Sequence, residues 1–308
     1  MGVVREGTMV PRCTTPYPGC PPQGGREKRH APLAKVQTSR SLTRTAAVTA
    51  CLLVLAQCSP DPTTRACSEP TRLRFDPIGK ITRSGIGFTQ GLEFRDGKLY
   101  ESTGRIGDTT RLNIISLAGQ VTTLADQGIA VFGEGLTILK DEIFQLTWQE
   151  HEVFVYDLAG KLKRKMTNPR EGWGLTNDGT NLIFSDGGPS IYYADPAGFA
   201  IKKSVNLRST REGDILGLNE LELVDGKLYG NVFTTRNILR IDPASGCIDG
   251  IADLGLLWRE MNADERAQTD DSDNVLNGIA YDAKTGRFYL TGKRWKSIFV
   301  GRFAEAGR

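Results

Sequence analysis

Ten positions in the chain combine residue types that could hold a small polar ligand and move its protons. Five of them open a short repeated tetrapeptide: Gln90-Gly91-Leu92-Glu93, Glu134-Gly135-Leu136-Thr137, Trp173-Gly174-Leu175-Thr176, Asn219-Glu220-Leu221-Glu222 and Asn277-Gly278-Ile279-Ala280. The other five, Gly104, Trp148, Gly188, Phe233 and Lys293, each stand four residues beyond an aromatic residue in the strand-like run that follows. Phe88 and Phe132, two residues ahead of Gln90 and Glu134, add apolar wall. The set offers one carboxyl group, three carboxamides, one ammonium and several bulky aromatics. A mixture of aromatic walls and a few convergent polar groups suits a pocket for a small molecule or the end of a peptide.

Taken singly, each residue has a plainer role. Glu134 could be a solvated strand-end acid, Asn219 and Asn277 turn formers, Trp148, Trp173 and Phe233 channel filling, and Lys293 a surface residue of the run Lys293-Arg294-Trp295-Lys296. A ring that only filled space would repeat one residue type. The common register is what brings these different residues together.

That register comes from the elements around them. The tetrapeptides lie 44, 39, 46 and 58 residues apart, close to the roughly 40–50 residues of one propeller blade. After each comes a turn (Asp96-Gly97, Asp141-Glu142, Asp178-Gly179, Asp225-Gly226, Thr285-Gly286), an apolar run such as EIFQLTW or KLYGNVF, then a third strand. Four of the units continue through a second turn into a more polar fourth strand. Alternating β-branched and aromatic residues between such turns are strand and hairpin signals. The expected fold is all-β: a five-bladed β-propeller of four-stranded antiparallel blades. The last unit lacks an outer strand, and the strand-like run from Arg72 to Arg83 is expected to supply it and close the ring, removing an exposed sheet edge. An open sandwich of hairpins does not explain five recurrences at this spacing.

Composition narrows the class. With 39% hydrophobic and 24% charged residues, the 308-residue chain is neither a polytopic membrane protein nor mostly disordered. Its net charge of +3 is misleading, because residues 1–57 carry eight Lys or Arg against Glu6 and Glu27, leaving 58–308 at −3. The charge therefore gives no reason to expect a nucleic-acid partner. Only His30 and His151 are present, which makes a Ser-His-Asp, Cys-His or zinc mechanism a poor fit. His151 is expected in a solvated loop.

Residues 41–60 read as a basic flank, an eleven-residue run from Ala46 to Ala56, and Cys58 followed by Ser-Pro-Asp-Pro. The run is too short to span a bilayer, where about 20 residues are needed, and suits an export signal. Leu55-Ala56-Gln57-Cys58 resembles a bacterial lipobox, with Gln57 in place of a small residue; the alternative is cleavage near Ala56 or Ala66 and free secretion. Residues 1–40 lie ahead of a signal that normally begins near the N-terminus, so a later translation start is expected. The expected organisation is 1–57 leader, 58–71 linker and 72–308 propeller, exported to the periplasm or cell envelope, and a monomer. In an oxidising compartment Cys67 and Cys247 could pair, or remain two thiols.

The runs Phe88-Thr89-Gln90-Gly91-Leu92, Phe132-Gly133-Glu134-Gly135-Leu136-Thr137, Leu146-Thr147-Trp148, Gly172-Trp173-Gly174-Leu175, Leu218-Asn219-Glu220-Leu221-Glu222, Leu276-Asn277-Gly278-Ile279-Ala280 and Thr291-Gly292-Lys293 together resemble the plant and bacterial type of glutaminyl-peptide cyclotransferase (glutamine cyclotransferase). The resemblance covers roughly residues 73–302. It implies a five-bladed propeller that converts an N-terminal glutaminyl residue of peptides to pyroglutamyl with loss of ammonia. It also implies that Glu134 is the catalytic glutamate and that Gln90, Trp148, Trp173, Asn219 and Lys293 belong to the pocket. Phe233 stands where the family is expected to carry a third tryptophan, which keeps the aromatic wall and removes an indole N–H.

On this reading the substrate's α-amine attacks its own γ-carboxamide, so the enzyme holds the folded-back rotamer and moves protons. Gln90, Asn219 and Lys293 are expected to orient the amide and stabilise the developing oxyanion. Phe88, Phe132, Trp148, Trp173, Phe233 and Asn277 would bind the substrate, without cofactor or metal. Burial should raise the pKa of Glu134 while Lys293 lowers it, and the sequence leaves the balance open. A non-catalytic envelope propeller that binds peptides or glycans is the competing class. The segment from Trp258 to Asn274 reads as a short helix and an acidic loop near the same mouth, either a lid or a surface insertion.

Overall fold

The computed structural model describes residues 66–210, 215–261, 263–268 and 274–307; the leader, Cys58 and the first part of the expected linker lie outside the described residues. Strand β1 (Thr71–Thr82) precedes an antiparallel sheet of β2 (Thr89–Arg95), β3 (Lys98–Thr103), β4 (Thr110–Ser116) and β5 (Val121–Gly128). A second sheet holds β6 (Gly133–Leu139), β7 (Glu142–Thr147), β8 (Glu152–Asp157) and β9 (Leu162–Thr167). A third holds β10 (Leu175–Asn177), β11 (Leu182–Ser185), β12 (Ser190–Ala194) and β13 (Ile201–Asn206). The chain continues through β14 (Leu218–Val224), β15 (Lys227–Val232), β16 (Asn237–Ile241) and β17 (Ile248–Asp253), helices α1 (Gly255–Glu260) and α2 (Ala263–Gln268), and then β18 (Leu276–Asp282), β19 (Arg287–Gly292) and β20 (Ser297–Glu305). The fold is all-β, built of small antiparallel meanders in a propeller-like arrangement.

Local chemistry explains the hairpins. Asp96-Gly97 and Asp225-Gly226 hold both residues at positive φ (49° and 77°, 48° and 75°), the turn whose twist matches two antiparallel strands. Buried apolar residues then gather where one sheet faces the next: Leu99 and Ile115 with Tyr289 and Ile298, Leu112 with Leu136 and Ile143, and Leu146 and Val155 with Leu182 and Phe184. Ile183 and Ile191 meet Leu228 and Ile241 in the same way, and Tyr229 and Ile238 meet Leu290 and Phe299.

Strand β1 lies antiparallel to β20 from Leu73 to Thr82. It also makes a pairing that was not expected, running parallel to β17 at Thr71–Leu73. The last seven strands and β1 therefore form one sheet, in the order β14-β15-β16-β17-β1-β20-β19-β18. A disulfide explains this contact. Cys67 and Cys247 are bonded, with Cα atoms 5.4 Å apart, and hold the chain ahead of β1 beside the start of β17. The segment around Trp258 also differs from expectation, because it forms two short helices. Leu254, Leu257 and Met261 recur at helical spacing and are buried against Leu276 and Trp295, so the first helical turn begins before Trp258.

Toward the centre the inner strands β2, β6, β10, β14 and β18 nearly touch. A Cβ on Gly135 would lie 2.5 Å from the Leu175 nitrogen, and one on Gly174 would lie 1.9 Å from the Asn219 carbonyl oxygen. The second tetrapeptide position must therefore be glycine in these units. In β14 it is Glu220, which is fully buried and reaches across the centre. Its two carboxyl oxygens accept from the Leu92 N–H (3.0 Å) and the Ile279 N–H (2.8 Å), tying β14 to β2 and β18.

Glu220→Gln leaves one of these N–H groups facing an NH₂. Leaving a buried donor unsatisfied costs about 1–3 kcal/mol, so a lower midpoint with unchanged slope is expected in urea unfolding. An unchanged midpoint would show that Glu220 does not tie the inner strands.

Candidate active site

Four of the five tetrapeptides interrupt their hairpins. The pairing of inner and second strand shifts register between Thr89 and Gly91, Gly133 and Leu136, Leu218 and Leu221, and Leu276 and Ile279. Bulges of this kind re-aim a side chain, and here Gln90, Glu134, Asn219 and Asn277 fall within the shifts. The return strand closes with a recurring backbone bond: Gly104 N–H to Phe88 O (3.2 Å), Trp148 to Phe132 (2.9 Å), Phe233 to Gly217 (2.8 Å) and Lys293 to Val275 (2.9 Å). The third sheet departs from this pattern, with the Trp173 N–H bonded to Ser185 O.

The result is a cavity of about 380 Å³ lined by Phe88, Gln90, Phe132, Glu134, Trp148, Trp173, Asn219, Phe233 and Lys293, together with Arg105 and Ile106. Nine of the ten residues expected at the site are thus brought together. Asn277 is the exception and does not line the cavity. Its Nδ2 donates to Gln90 Oε1 (3.1 Å) and to the Thr89 carbonyl (3.0 Å), so it orients Gln90 from behind. Gln90 in turn points Nε2 at Glu134 Oε1 (3.4 Å) and at the Gly104 carbonyl (3.3 Å). Its amide therefore addresses the carboxylate rather than an open part of the cavity. Asn219 Oδ1 is buried without a hydrogen-bond partner among the described residues, and is the lining carboxamide oxygen left for a ligand. A larger cavity, of about 810 Å³, lies outside the ring between β1, β17 and α1, and none of the ring residues lines it.

Aromatic walls enclose the polar groups. Phe132 packs against Trp148 (ring centroids 5.5 Å apart) and Trp173 edge-on against Phe233 (5.8 Å). The Lys293 ammonium lies over the faces of Phe233 (4.6 Å) and Phe88 (5.2 Å), and attraction to the ring quadrupoles offsets part of its lost hydration. Beneath this wall Arg83, wholly buried, pairs with Glu101 and donates to the Trp295 (2.7 Å) and Gly87 (3.2 Å) carbonyls, fixing the segment that carries Phe88 and Gln90.

Glu134 is only 6% exposed. Burial holds its carboxyl well above the ordinary glutamate range; the Lys293 charge draws it back and the carboxylates of Glu150 and Glu171 push it further up. Desolvation outweighs the ammonium, which decides the balance the sequence left open. Outside the ring, His151 is exposed in the turn before β8 and contacts the Arg170 carbonyl through Nδ1 (2.9 Å).

Three residues escaped the sequence reading. Arg105, whose guanidinium lies over Phe88 (5.5 Å), and Ile106 sit in the β3–β4 turn, where no repeat marks them. Glu171 takes hydrogen bonds from both wall tryptophans. It stands two residues before Trp173, the position already recognised at Phe88 and Phe132. Of the segment between β17 and β18, no described residue lines the cavity.

An unfolded glutamate ionises near pH 4.3, and Glu134 in the folded protein does so at higher pH. Between the two values the folded state keeps a proton that the unfolded state has lost, so this stability is full below the unfolded pKa and declines as pH rises through the folded one. Glu134→Gln should therefore unfold at higher denaturant than wild type, with a margin that widens toward alkaline pH. Parallel stability-versus-pH curves would contradict a desolvated Glu134.

The family model described as glutamine cyclotransferase matches residues 48–303. The chain is 33% identical over 235 residues to an Arabidopsis thaliana protein named glutaminyl-peptide cyclotransferase, covering 75% of this chain and 72% of that one. Its structure is similar to the crystal structure of Myxococcus xanthus glutaminyl cyclase, with a TM-score of 0.69 and 32% identity over 78% of this chain and 100% of that one.

Proposed function

Because this chain belongs to the glutamine cyclotransferase family, we propose that it is a glutaminyl-peptide cyclotransferase in which Glu134 moves the protons. It cyclises the N-terminal glutaminyl residue of peptides to pyroglutamyl and releases ammonia. The observation that carries the mechanism is the setting of Glu134, among the described residues the one carboxyl group lining an aromatic-walled cavity beside Lys293 and Asn219.

The reaction joins two groups already present in one residue, so a protein nucleophile is not needed. The α-ammonium must first lose a proton. An α-amino group titrates near pH 7.7–8.0, and burial brings the Glu134 carboxyl closer to that value, which makes the transfer less uphill. The free amine then attacks the γ-carbonyl carbon, and Glu134 returns the proton to the amide nitrogen as its C–N bond breaks and ammonia departs. The carboxylate then takes the second proton that the attacking nitrogen sheds to become the lactam N–H and passes it to the ammonia, which leaves as ammonium. Asn219 and the Lys293 ammonium are placed to receive the amide and the developing negative charge on its oxygen. Gln90, held by Asn277, keeps the Glu134 carboxylate aimed. The five aromatics grip the aliphatic part of the glutaminyl side chain and exclude water.

The scaffold is a five-bladed propeller whose ring is closed by β1. Support comes from the five tetrapeptides, the apolar clusters between successive sheets and the β1–β20 pairing. The protein acts as an exported monomer, lipid-anchored at Cys58 or freely secreted; the Cys67–Cys247 disulfide supports an oxidising compartment. Incubation with a Gln-initiated peptide should release one ammonia per peptide with the matching mass loss, whereas the same peptide N-acetylated should be inert. A protein that binds the free peptide and releases no ammonia would be a binding module instead.

A further inference from the structure

We propose that Glu171 is a positioning residue of this site: its carboxylate clamps the indoles of Trp148 and Trp173 and so sets the aromatic walls against which the glutaminyl group folds. The inference rests on the proposed cyclisation for its kinetic test. It rests on the structure for its geometry. Glu171 Oε2 accepts from Trp148 Nε1 (2.9 Å) and from Trp173 Nε1 (3.4 Å), while Oε1 accepts from Gln149 Nε2 (3.1 Å). One carboxylate therefore joins the return strand of the second sheet to the third tetrapeptide.

The position is distinctive within the repeat. Two residues before their tetrapeptides the first and second units carry Phe88 and Phe132, which line the cavity directly, and the fourth and fifth carry Gly217 and Val275. The third unit has an anion there, which reaches the wall through its neighbours' rings. Hydrogen bonds to a charged acceptor are stronger and more directional than neutral ones, so both N–H groups are held on Glu171. An indole has one N–H and no acceptor. With both N–H groups held in this way, the tryptophans offer the cavity ring faces rather than donors that would compete for the substrate amide.

The same carboxylate adds a charge beside Glu134. The charges acting on Glu134 are Lys293 on one side and Glu150 and Glu171 on the other, and Arg105 also lines the cavity. Removing the Glu171 charge should lower the pH at which Glu134 ionises, with the sign opposite to removal of Lys293.

The test compares the full-length wild type with Glu171→Gln and Glu171→Ala on a Gln-initiated peptide, after thermal unfolding has established that each variant is folded. Glu171→Ala is expected to raise KM by about tenfold or more, the scale of hydrogen bonds to a charged group, with a smaller change in kcat. Glu171→Gln, whose carbonyl oxygen can still accept, should recover most of the KM. In both variants the acid limb of the kcat/KM profile should move to lower pH. Acrylamide quenching of tryptophan emission should increase in Glu171→Ala and much less in Glu171→Gln. An unchanged KM and unchanged quenching in a folded Glu171→Ala would overturn the clamp. So would an equal loss of kcat in both variants at constant KM, which would place Glu171 in proton transfer itself. If wild type released no ammonia, the functional reading would fail, and quenching alone would decide the clamp.

Discussion

The structure depends on how closely its inner strands approach one another. Gly135 and Gly174 leave no room for a Cβ, and Glu220 uses the same tetrapeptide position to satisfy two backbone N–H groups across the centre. A buried N–H without a partner is costly, so the carboxyl at 220 and the glycines at the equivalent positions are two solutions to one steric and electrostatic demand. Because the contacts are made by backbone, the residue before each of them is fixed in height and direction. That residue is Gln90, Glu134, Trp173, Asn219 or Asn277. The scaffold thus delivers five side chains to one level without asking them to stabilise it, which frees them to differ.

The site built on this frame is held under electrostatic tension. Glu134 and Lys293 are both nearly buried in aromatic surroundings, where an ionised group is normally disfavoured. Each is answered by its neighbours: Gln90 aims at Glu134 and is itself held from behind by Asn277, while two aromatic faces accept the ammonium. Arg83 fixes the Phe88–Gln90 segment through buried bonds that reach the β19–β20 turn. Preorganised charge of this kind is what amide chemistry requires when charge appears on carbonyl oxygen.

Much of this was legible in the sequence because a repeat carries register. Once five tetrapeptides were aligned, Glu134 and Lys293 fell on the same ring although 159 residues separate them. The same rule marked Phe88 and Phe132, and applied to the third unit it points to Glu171. A carboxylate there does not look like part of an aromatic wall, which is why the residue was overlooked. Arg105 and Ile106 lie in the β3–β4 turn, whose residue types do not recur in the corresponding turns of the other units, so the repeat does not mark them. Asn277 was placed at the right height with the wrong partner, because register fixes where a side chain begins and packing decides what its tip meets. The Cys67–Cys247 bond spans 180 residues and accompanies the parallel approach of β1 to β17, a contact that hairpin signals do not encode.

The central claim is that one desolvated carboxyl group, Glu134, carries the proton transfers of cyclisation. The most direct measurement is kcat for a Gln-initiated peptide with folded Glu134→Gln, which keeps the shape of the side chain and removes its ability to exchange a proton. General acid–base catalysis by a positioned group contributes about 10²–10⁴-fold, and a fall in kcat of that size with KM little changed is predicted. Cyclisation at a near wild-type kcat would contradict the account and place the proton transfer elsewhere in the cavity.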